Sequence, residues 1–148
     1  MPDSNTTSSL IRACSHCGQN NRIPARHLAH SGRCGACKQE LPPLAEPIEL
    51  DAALLEAIGA DAGVPLLVDF WAAWCAPCRM MAPELEKLAA SHAGRLLVGK
   101  VDTELHPDLA GRHAIEALPT LIMFRDGQPR ERLSGARTAA ALARELAL

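Results

Sequence analysis

Two cysteines separated by two residues stand where an apolar run gives way to a helical pattern, and this junction limits what the chain can become. The stretch is Phe70-Trp71-Ala72-Ala73-Trp74-Cys75-Ala76-Pro77-Cys78-Arg79. Leu66 to Trp71 is nearly all apolar and bounded by turn residues, which predicts a central strand. Met81, Leu85 and Leu88 then recur at spacings of four and three, the stripe of an amphipathic helix, and Pro83 inside it predicts a kink. A dithiol between strand end and helix start can close into a disulfide and reopen. Cys75 falls at the helix N-terminus, where unpaired amides and the helix dipole favour an anion, so it is the expected nucleophile. Cys78, one turn in and expected to be the more buried, is the expected resolving thiol. Pro77 stiffens the turn, and Trp74 is placed to shield the pair. A lone C-x2-C is equally half of a zinc site, so its meaning depends on the other cysteines.

Those are Cys14-Ser15-His16-Cys17 and Cys34-Gly35-Ala36-Cys37, two pairs with sixteen residues between them. This is the spacing of a four-thiolate zinc site, with Cys14, Cys17, Cys34 and Cys37 as ligands. Gly18 and Gly35 suit the tight turns because glycine accepts positive φ. The segment has little apolar material beyond Leu10, Ile11, Ile23, Leu28 and Leu41, so a metal must supply much of its folding energy. Four thiolates leave no open coordination position, and the expected cofactor is one structural zinc ion, with no organic cofactor. Two static disulfides and an iron–sulfur cluster are the alternatives. His16, His27 and His30 are possible substitute ligands but are expected at the surface. A separate metal site upstream leaves Cys75 and Cys78 for redox chemistry.

Residues 1–9 read as a flexible tail, 10–40 as the four-cysteine zinc module, 41–47 as a proline-rich linker and 48–148 as the main domain. Proline at three of the seven linker positions blocks helix and central strand. Net charge is −2, with +2 on residues 1–47 and −4 on 48–148. Four thiolates and one zinc bring the first segment to about zero, which argues against a nucleic-acid binder. Met1 to Leu10 is polar and lacks the apolar core of a secretory signal, and no stretch is long enough to span a membrane, so a cytoplasmic location is expected. There, paired cysteines are more often ligands or catalytic dithiols than static bridges.

Beyond the linker, Ile48 to Leu50 reads as an edge strand, and Asp51 as the cap of a helix that Gly59 ends. Leu96 to Val101 is the next strand, and His106 to His113 a short helix with Pro107 in its first turn. Thr120 to Phe124, the turn Asp126-Gly127 and Gln128 to Leu133 form a hairpin, and Thr138 caps a last helix. Helices alternating with strands, then a hairpin and a helix, imply an α/β fold with a mixed sheet covered on both faces. Asp69 is the odd residue of its strand. Alternation turns it off the face of Val68 and Phe70. A buried carboxylate there has a raised pKa and can exchange a proton with Cys78, with Lys100 of the next strand as its partner across the sheet.

Phe70-Trp71-Ala72-x-Trp74-Cys75-x-Pro77-Cys78 resembles the active-site signature of the thioredoxin family, and the likeness covers roughly residues 47–148. It implies a mixed five-stranded sheet in the order 1-3-2-4-5 flanked by four helices. It implies Asp69 as the buried acid with Lys100 beside it, Pro83 as the helix kink, and a cis Leu118–Pro119 bond facing the cysteines. Gly127 matches the hairpin glycine. A substrate groove of Trp74, Ala76, Pro77, Leu118, Pro119 and Gly135 follows from the same resemblance. The two upstream pairs make the chain similar to the zinc-containing thioredoxin 2 type, with a small zinc-ribbon-like module ahead of the fold. The implied activity is reduction of protein disulfides, with an NADPH-dependent thioredoxin reductase and disulfide-containing proteins as partners, in a monomer. Two departures stand out: Ala76 replaces the usual glycine between the cysteines, and Glu116-Ala117-Leu118 replaces the commoner Arg-Gly-Ile. An oxidase or isomerase, and a zinc-dependent redox-sensing binding protein, are the competing functions. Pro77 and the cytoplasmic reading favour reduction, and the intact cysteine pair favours an enzyme.

Overall fold

The computed structural model describes residues 9–148, so residues 1–8 of the expected tail lie outside the described residues, while Ser9 already opens a strand. The N-terminal module is two short antiparallel hairpins, β1 (Ser9–Ala13) with β2 (Asn20–Pro24) and β3 (Gly32–Arg33) with β4 (Glu40–Leu41). A C-x2-C loop closes each. The two loops share one hydrogen-bond pattern. Cys14 N–H donates to Gln19 O (2.8 Å) and Gly18 N–H to Cys14 O (2.9 Å); Cys34 N–H donates to Gln39 O (2.9 Å) and Lys38 N–H to Cys34 O (3.1 Å). The left-handed residue is therefore the one after the second cysteine, Gly18 at φ 78 and Lys38 at φ 66. Gly35, expected in that role, has no positive φ, because the reversal back toward the second strand comes three residues later. Lys38 Nζ donates to Gly35 O at 2.9 Å across the loop.

The main sheet has the order β5-β7-β6-β8-β9. Its strands are β5 (Ile48–Glu49), β6 (Leu66–Trp71), β7 (Leu97–Asp102), β8 (Thr120–Arg125) and β9 (Gln128–Ser134). The first three are mutually parallel, and β8 and β9 add on antiparallel. Helices α1 (Ala52–Asp61), α2 (Ala76–Ser91), α3 (Pro107–Arg112) and α4 (Ala139–Glu145) cover it. This is the expected 1-3-2-4-5 sheet with four helices. Strand alternation splits the core in two. Val68, Phe70, Val101, Ile122 and Phe124 pack with Leu54, Leu55 and Ile58 of α1 and Leu109 of α3. Leu67, Val98, Leu121 and Met123 face the other way, onto Met81, Leu85 and Leu88 of α2 and Leu142 of α4. Pro83 lies within α2 without ending it. Among the described residues no helix is long and apolar enough to cross a membrane.

The module and the sheet share a core. Ala25 and Leu28, in and after a 3-10 turn at Ala25–His27, and Leu44 of the proline-rich segment belong to the same buried cluster as α1. Leu44 N–H donates to Leu28 O at 2.9 Å. The segment 41–47 is thus pinned at Leu41 and Leu44, both buried.

Polar caps set the helix starts. Asp51 accepts the Leu54 N–H (2.8 Å) and Thr138 Oγ1 the Ala141 N–H (3.1 Å). Gly59 does not end α1, which continues to Asp61. Its role is close approach: a methyl on Gly59 would stand 3.2 Å from the Gly127 Cα, and one on Gly127 would stand 3.2 Å from the Gly59 carbonyl oxygen. Asp126 (φ 52) and Gly127 (φ 76) make the β8–β9 turn, both left-handed as a two-residue hairpin turn requires. Gly127→Ala is therefore expected to cost about 1–2 kcal/mol in urea unfolding, through the left-handed φ alone. Gly111→Ala, in α3 with open space around it, is expected to be neutral or to stabilise by up to about 1 kcal/mol.

Candidate redox site and cysteine cluster

Strand β6 ends at Trp71, and the chain turns through Ala72 to Trp74, closed by Cys75 N–H donating to Ala72 O at 3.1 Å. Cys75 is the N-cap of α2, with extended backbone (φ −86, ψ 110). Its Sγ accepts the Cys78 N–H at 3.2 Å. Pro77, in the first turn, has no N–H to satisfy. The buried stripe of Met81, Leu85 and Leu88 holds α2 on the sheet, so this helix start cannot drift from the strand end. Cys75 and Cys78 are joined as a disulfide, with Cα atoms 5.3 Å apart. Each residue is 4% exposed, so Cys78 is not the more buried of the two as expected; the loop before Cys75 and the segment at Leu118 cover it equally.

Residues of the expected substrate groove lie near the pair. Leu118 packs against the cluster of Ala72, Cys75 and Cys78. The Leu118–Pro119 bond is cis. Gly135 N–H donates to Pro119 O at 2.9 Å, which ties Gly135 (φ 90) to the same edge. Trp74 and Met80 are 67% and 70% exposed, an apolar rim beside an otherwise buried pair. Ala76 and Pro77 are exposed too.

Asp69 lies on the α2 face of β6, 1% exposed, and neither carboxylate oxygen has a hydrogen-bond partner. Burial pushes its pKa up to about 7; Lys100 opposes the rise and Glu49 adds to it. Lys100 is the residue in register with Asp69 on β7, as expected, but no ion pair within 4.0 Å joins the two among the described residues. The ammonium instead lies 4.6 Å from the centroid of the Trp71 ring, a cation–π contact. Glu49, whose charge acts on Asp69 from β5, was not singled out in the sequence. There it was only the middle residue of the edge strand expected over Ile48 to Leu50.

The four remaining cysteines are unbonded and converge, all Sγ atoms lying within 4.8 Å of one another. Cys14 and Cys37 are 3.7 Å apart, Cys17 and Cys34 3.6 Å. Zinc–sulfur bonds of about 2.3 Å in a tetrahedron put sulfurs about 3.8 Å apart, so the set fits a metal, whereas two disulfides would need about 2.05 Å. Donors aim at the sulfurs: His16 N–H at Cys14 (3.4 Å), Ala36 N–H and the Asn21 amide at Cys34 (3.4 and 3.5 Å). The Cys37 N–H contributes most to lowering Cys34, and the Ala36 and Asn21 donors help bring it to about 6 against the effect of burial. Cys37 is pushed up to about 11: the Gln39 N–H favours its thiolate, but burial and three crowded sulfurs outweigh that. A fourth thiolate in such a cluster needs a cation. Asn21, unforeseen from sequence, also accepts the Gly35 N–H at 2.9 Å and so bridges the two loops. His16, His27 and His30 are exposed and outside the cluster, as expected.

Comparison with known proteins follows the same division. Residues 48–147 match the thioredoxin family, and residues 13–39 match the family described as thioredoxin 2, N-terminal. Thioredoxin C-3 of Corynebacterium nephridii is 38% identical over 127 residues, 86% of each chain. The thioredoxin of Mycobacterium tuberculosis is 51% identical over 82 residues, 55% of this chain and 71% of that one. Among solved structures, a mutant thioredoxin from Halobacterium salinarum NRC-1 superposes with a TM-score of 0.63 at 30% identity, covering 68% of this chain and 88% of that one. With its redox-active cysteine pair at the start of α2 and its four-cysteine module ahead of β5, the chain belongs to the thioredoxin family.

Proposed function

We propose that the protein reduces disulfide bonds in other proteins, cycling between a Cys75/Cys78 dithiol and the disulfide. The observation that carries this reading is the sulfur cap of α2, where Cys75 Sγ receives the Cys78 N–H. The helix N-terminus that stabilises this sulfur as an anion makes Cys75 the attacking group. Its thiolate attacks one sulfur of a substrate disulfide; a Cys75–substrate bond forms, the substrate bond breaks, and the other substrate sulfur leaves and takes a proton. Cys78 then gives its proton to Asp69 and attacks the Cys75 sulfur. The mixed disulfide breaks, the second substrate sulfur leaves as a thiolate and takes a proton from water, and two electrons have passed to the substrate.

Leu118, Pro119 and Gly135 form the wall along which a substrate peptide lies extended, with Trp74, Ala76 and Pro77 at its rim. Lys100 works from the side, since its positive charge favours the Asp69 carboxylate after the proton leaves. An NADPH-dependent thioredoxin reductase supplies the two electrons that reopen the disulfide. Cys14, Cys17, Cys34 and Cys37 would hold one zinc ion, which supplies a structural cross-link when bound. The setting is the reducing cytoplasm, and the working form a monomer.

A reductase-coupled insulin-reduction assay tests the cycle. Wild type is expected to turn over and Cys75→Ser to fall to background; equal activity in the two would make the assigned nucleophile wrong. Asp69 gives a pH signature. In the folded protein it keeps its proton up to pH about 7, while in the unfolded chain it ionises near 3.8. The folded state thus binds more protons between these values, and its stability falls as pH rises from about 4 to about 7. Asp69→Asn is expected to match wild type near pH 4 in urea unfolding and to exceed it at pH 8 by up to about 4 kcal/mol, with slower turnover. A uniform difference across that range would contradict a buried acid. For the module, Cys34→Ser is expected to lose the metal and to lower the melting temperature of the whole chain, because Ala25, Leu28 and Leu44 sit in the shared core. Turnover at 25 °C should persist, since the sheet and α2 hold Cys75, Asp69 and Pro119. Metal analysis, calorimetry and the insulin assay on one preparation check all three.

A further inference from the structure

A polar row crosses the α2 face of the sheet. Glu49, Lys100 and Asp69 stand in register on the adjacent parallel strands β5, β7 and β6. Registered neighbours on parallel strands point to the same face, and this face is otherwise lined by Leu67, Val98, Leu121 and Met123. The row runs from the middle of the sheet to its edge, because β5 is the outer strand. At the inner end, both Asp69 oxygens and the Trp71 indole N–H are buried without a hydrogen-bond partner. Burial raises the Glu49 pKa; Lys100 and, more weakly, the Trp71 N–H oppose that rise, the latter without a closed hydrogen bond. At the outer end, a cavity of about 490 Å³ is lined by Glu46, Pro47, Glu49, Ala82, Glu86 and Lys100. Ala82 and Glu86 come from α2, the helix that carries Cys78.

Asp69 is sealed from solvent, yet it can take the Cys78 proton only when ionised, so any proton it already carries must leave before the mixed disulfide is released. The structure assigns Glu49 the role of a second proton carrier, between Asp69 and the solvent in this cavity, a role that rests on the disulfide-reductase reading above. The proton leaves Cys78 Sγ, joins Asp69, passes to the Glu49 carboxylate as Asp69 is left ionised, and leaves Glu49 for bulk water. Glu49 ends as it began, and no other reactant is consumed. Two strand spacings put the Asp69 and Glu49 backbones roughly 10 Å apart, so the transfer runs through water between the two carboxylates.

Lys100 stands between the two carboxylates and, having only donors, cannot accept the proton itself. Its charge favours the ionised form of both acids. The other charged groups near Glu49 are Asp102 on β7, His106 ahead of α3, Asp69, and Glu46 and Glu86 around the cavity. Only Glu49 of these acids shares the registered row with Asp69. It touches neither sulfur and acts through Asp69, as a positioning residue.

The test is a single-turnover reaction of the reduced full chain with a disulfide peptide, following release of the mixed disulfide at low buffer concentration. Glu49→Gln is expected to slow release by about tenfold, and added imidazole to restore it by carrying the proton instead. Glu49→Asp should keep most of the rate. In an Asp69→Asn background, Glu49→Gln should have no further effect, since the two act in series. A Glu49→Gln rate equal to wild type at low buffer overturns the proposal. So does a slow rate that imidazole leaves unchanged, which would make the effect one of packing or charge alone. Cooperative urea unfolding, with each Glu49 variant's midpoint compared with that of its own parent (wild type or Asp69→Asn), establishes that the variants are folded. Absence of turnover in wild type would instead sink the reductase reading, and the relay with it.

Discussion

The hydrogen bond from the Cys78 N–H to Cys75 Sγ at 3.2 Å is the contact on which the rest of the structure turns. A helix start leaves amide N–H groups that need acceptors. Elsewhere in this chain a carboxylate or hydroxyl meets that need, at Asp51 and Thr138. In α2 the acceptor is sulfur, so satisfying the backbone and favouring a thiolate are one interaction. It holds only if the helix start is fixed relative to the strand end and to Pro119. The apolar stripe of α2 fixes it against Leu67, Val98, Leu121 and Met123. Glu84 adds a polar tie by accepting the Ala139 N–H at 3.0 Å and so holds α4 to α2. Packing far from the sulfurs therefore sets their geometry.

The cysteine module follows a different logic. Its two hairpins bury little: Cys14, Cys34 and Leu41 make up their own cluster, with Ile23 and Cys37 packed against it. A segment with so small a core needs either a metal or a neighbour, and this one is built for both. Its sulfurs converge at metal-ligand distances on one side, and Ala25, Leu28 and Leu44 join the core under α1 on the other. The Gly94 region after α2 also lies against it, a methyl there standing 3.7 Å from Ala29 O. Gly94 follows the C-terminal end of α2, whereas Cys75 is at the N-terminal end. A module seated there steadies the scaffold without covering the redox pair.

What the sequence made legible were features that act over a few residues or repeat with a fixed period. The caps at Asp51 and Thr138, the Met81-Leu85-Leu88 stripe, the Asp126-Gly127 turn and the two C-x2-C pairs are of that kind, and the structure has them where expected. What stayed hidden depends on contacts between distant segments. Gly59 read as a helix stop because glycine often ends helices, but its reason is the approach of Gly127, sixty-eight residues away in sequence. Gly35 read as the turn glycine, yet the left-handed position falls on Lys38, which carries no composition signal. Asn21 bridges the two cysteine loops only once they are folded against each other. Asp69 was legible as an anomaly in an apolar strand. The position of its neighbour's charge, over Trp71 rather than on the carboxylate, required the side chains.

Ala76 is where the chain departs from the usual active-site signature, and its placement says what that departure can do. It is the first residue of α2 and is exposed, so its methyl is not buried against the disulfide. Alanine is the best helix former and glycine among the poorest, a difference of about 1 kcal/mol in a helix interior and less at an end. The substitution therefore favours the first turn of α2, the turn that carries the sulfur cap. It also adds apolar surface to the rim that Trp74 and Met80 already form. Both effects work on the helix start and on the exposed rim beside the pair, while Asp69 and Lys100 lie behind, on the sheet. Ala76 thus bears on the rigidity of the cap and the apolar character of the rim rather than on the buried acid.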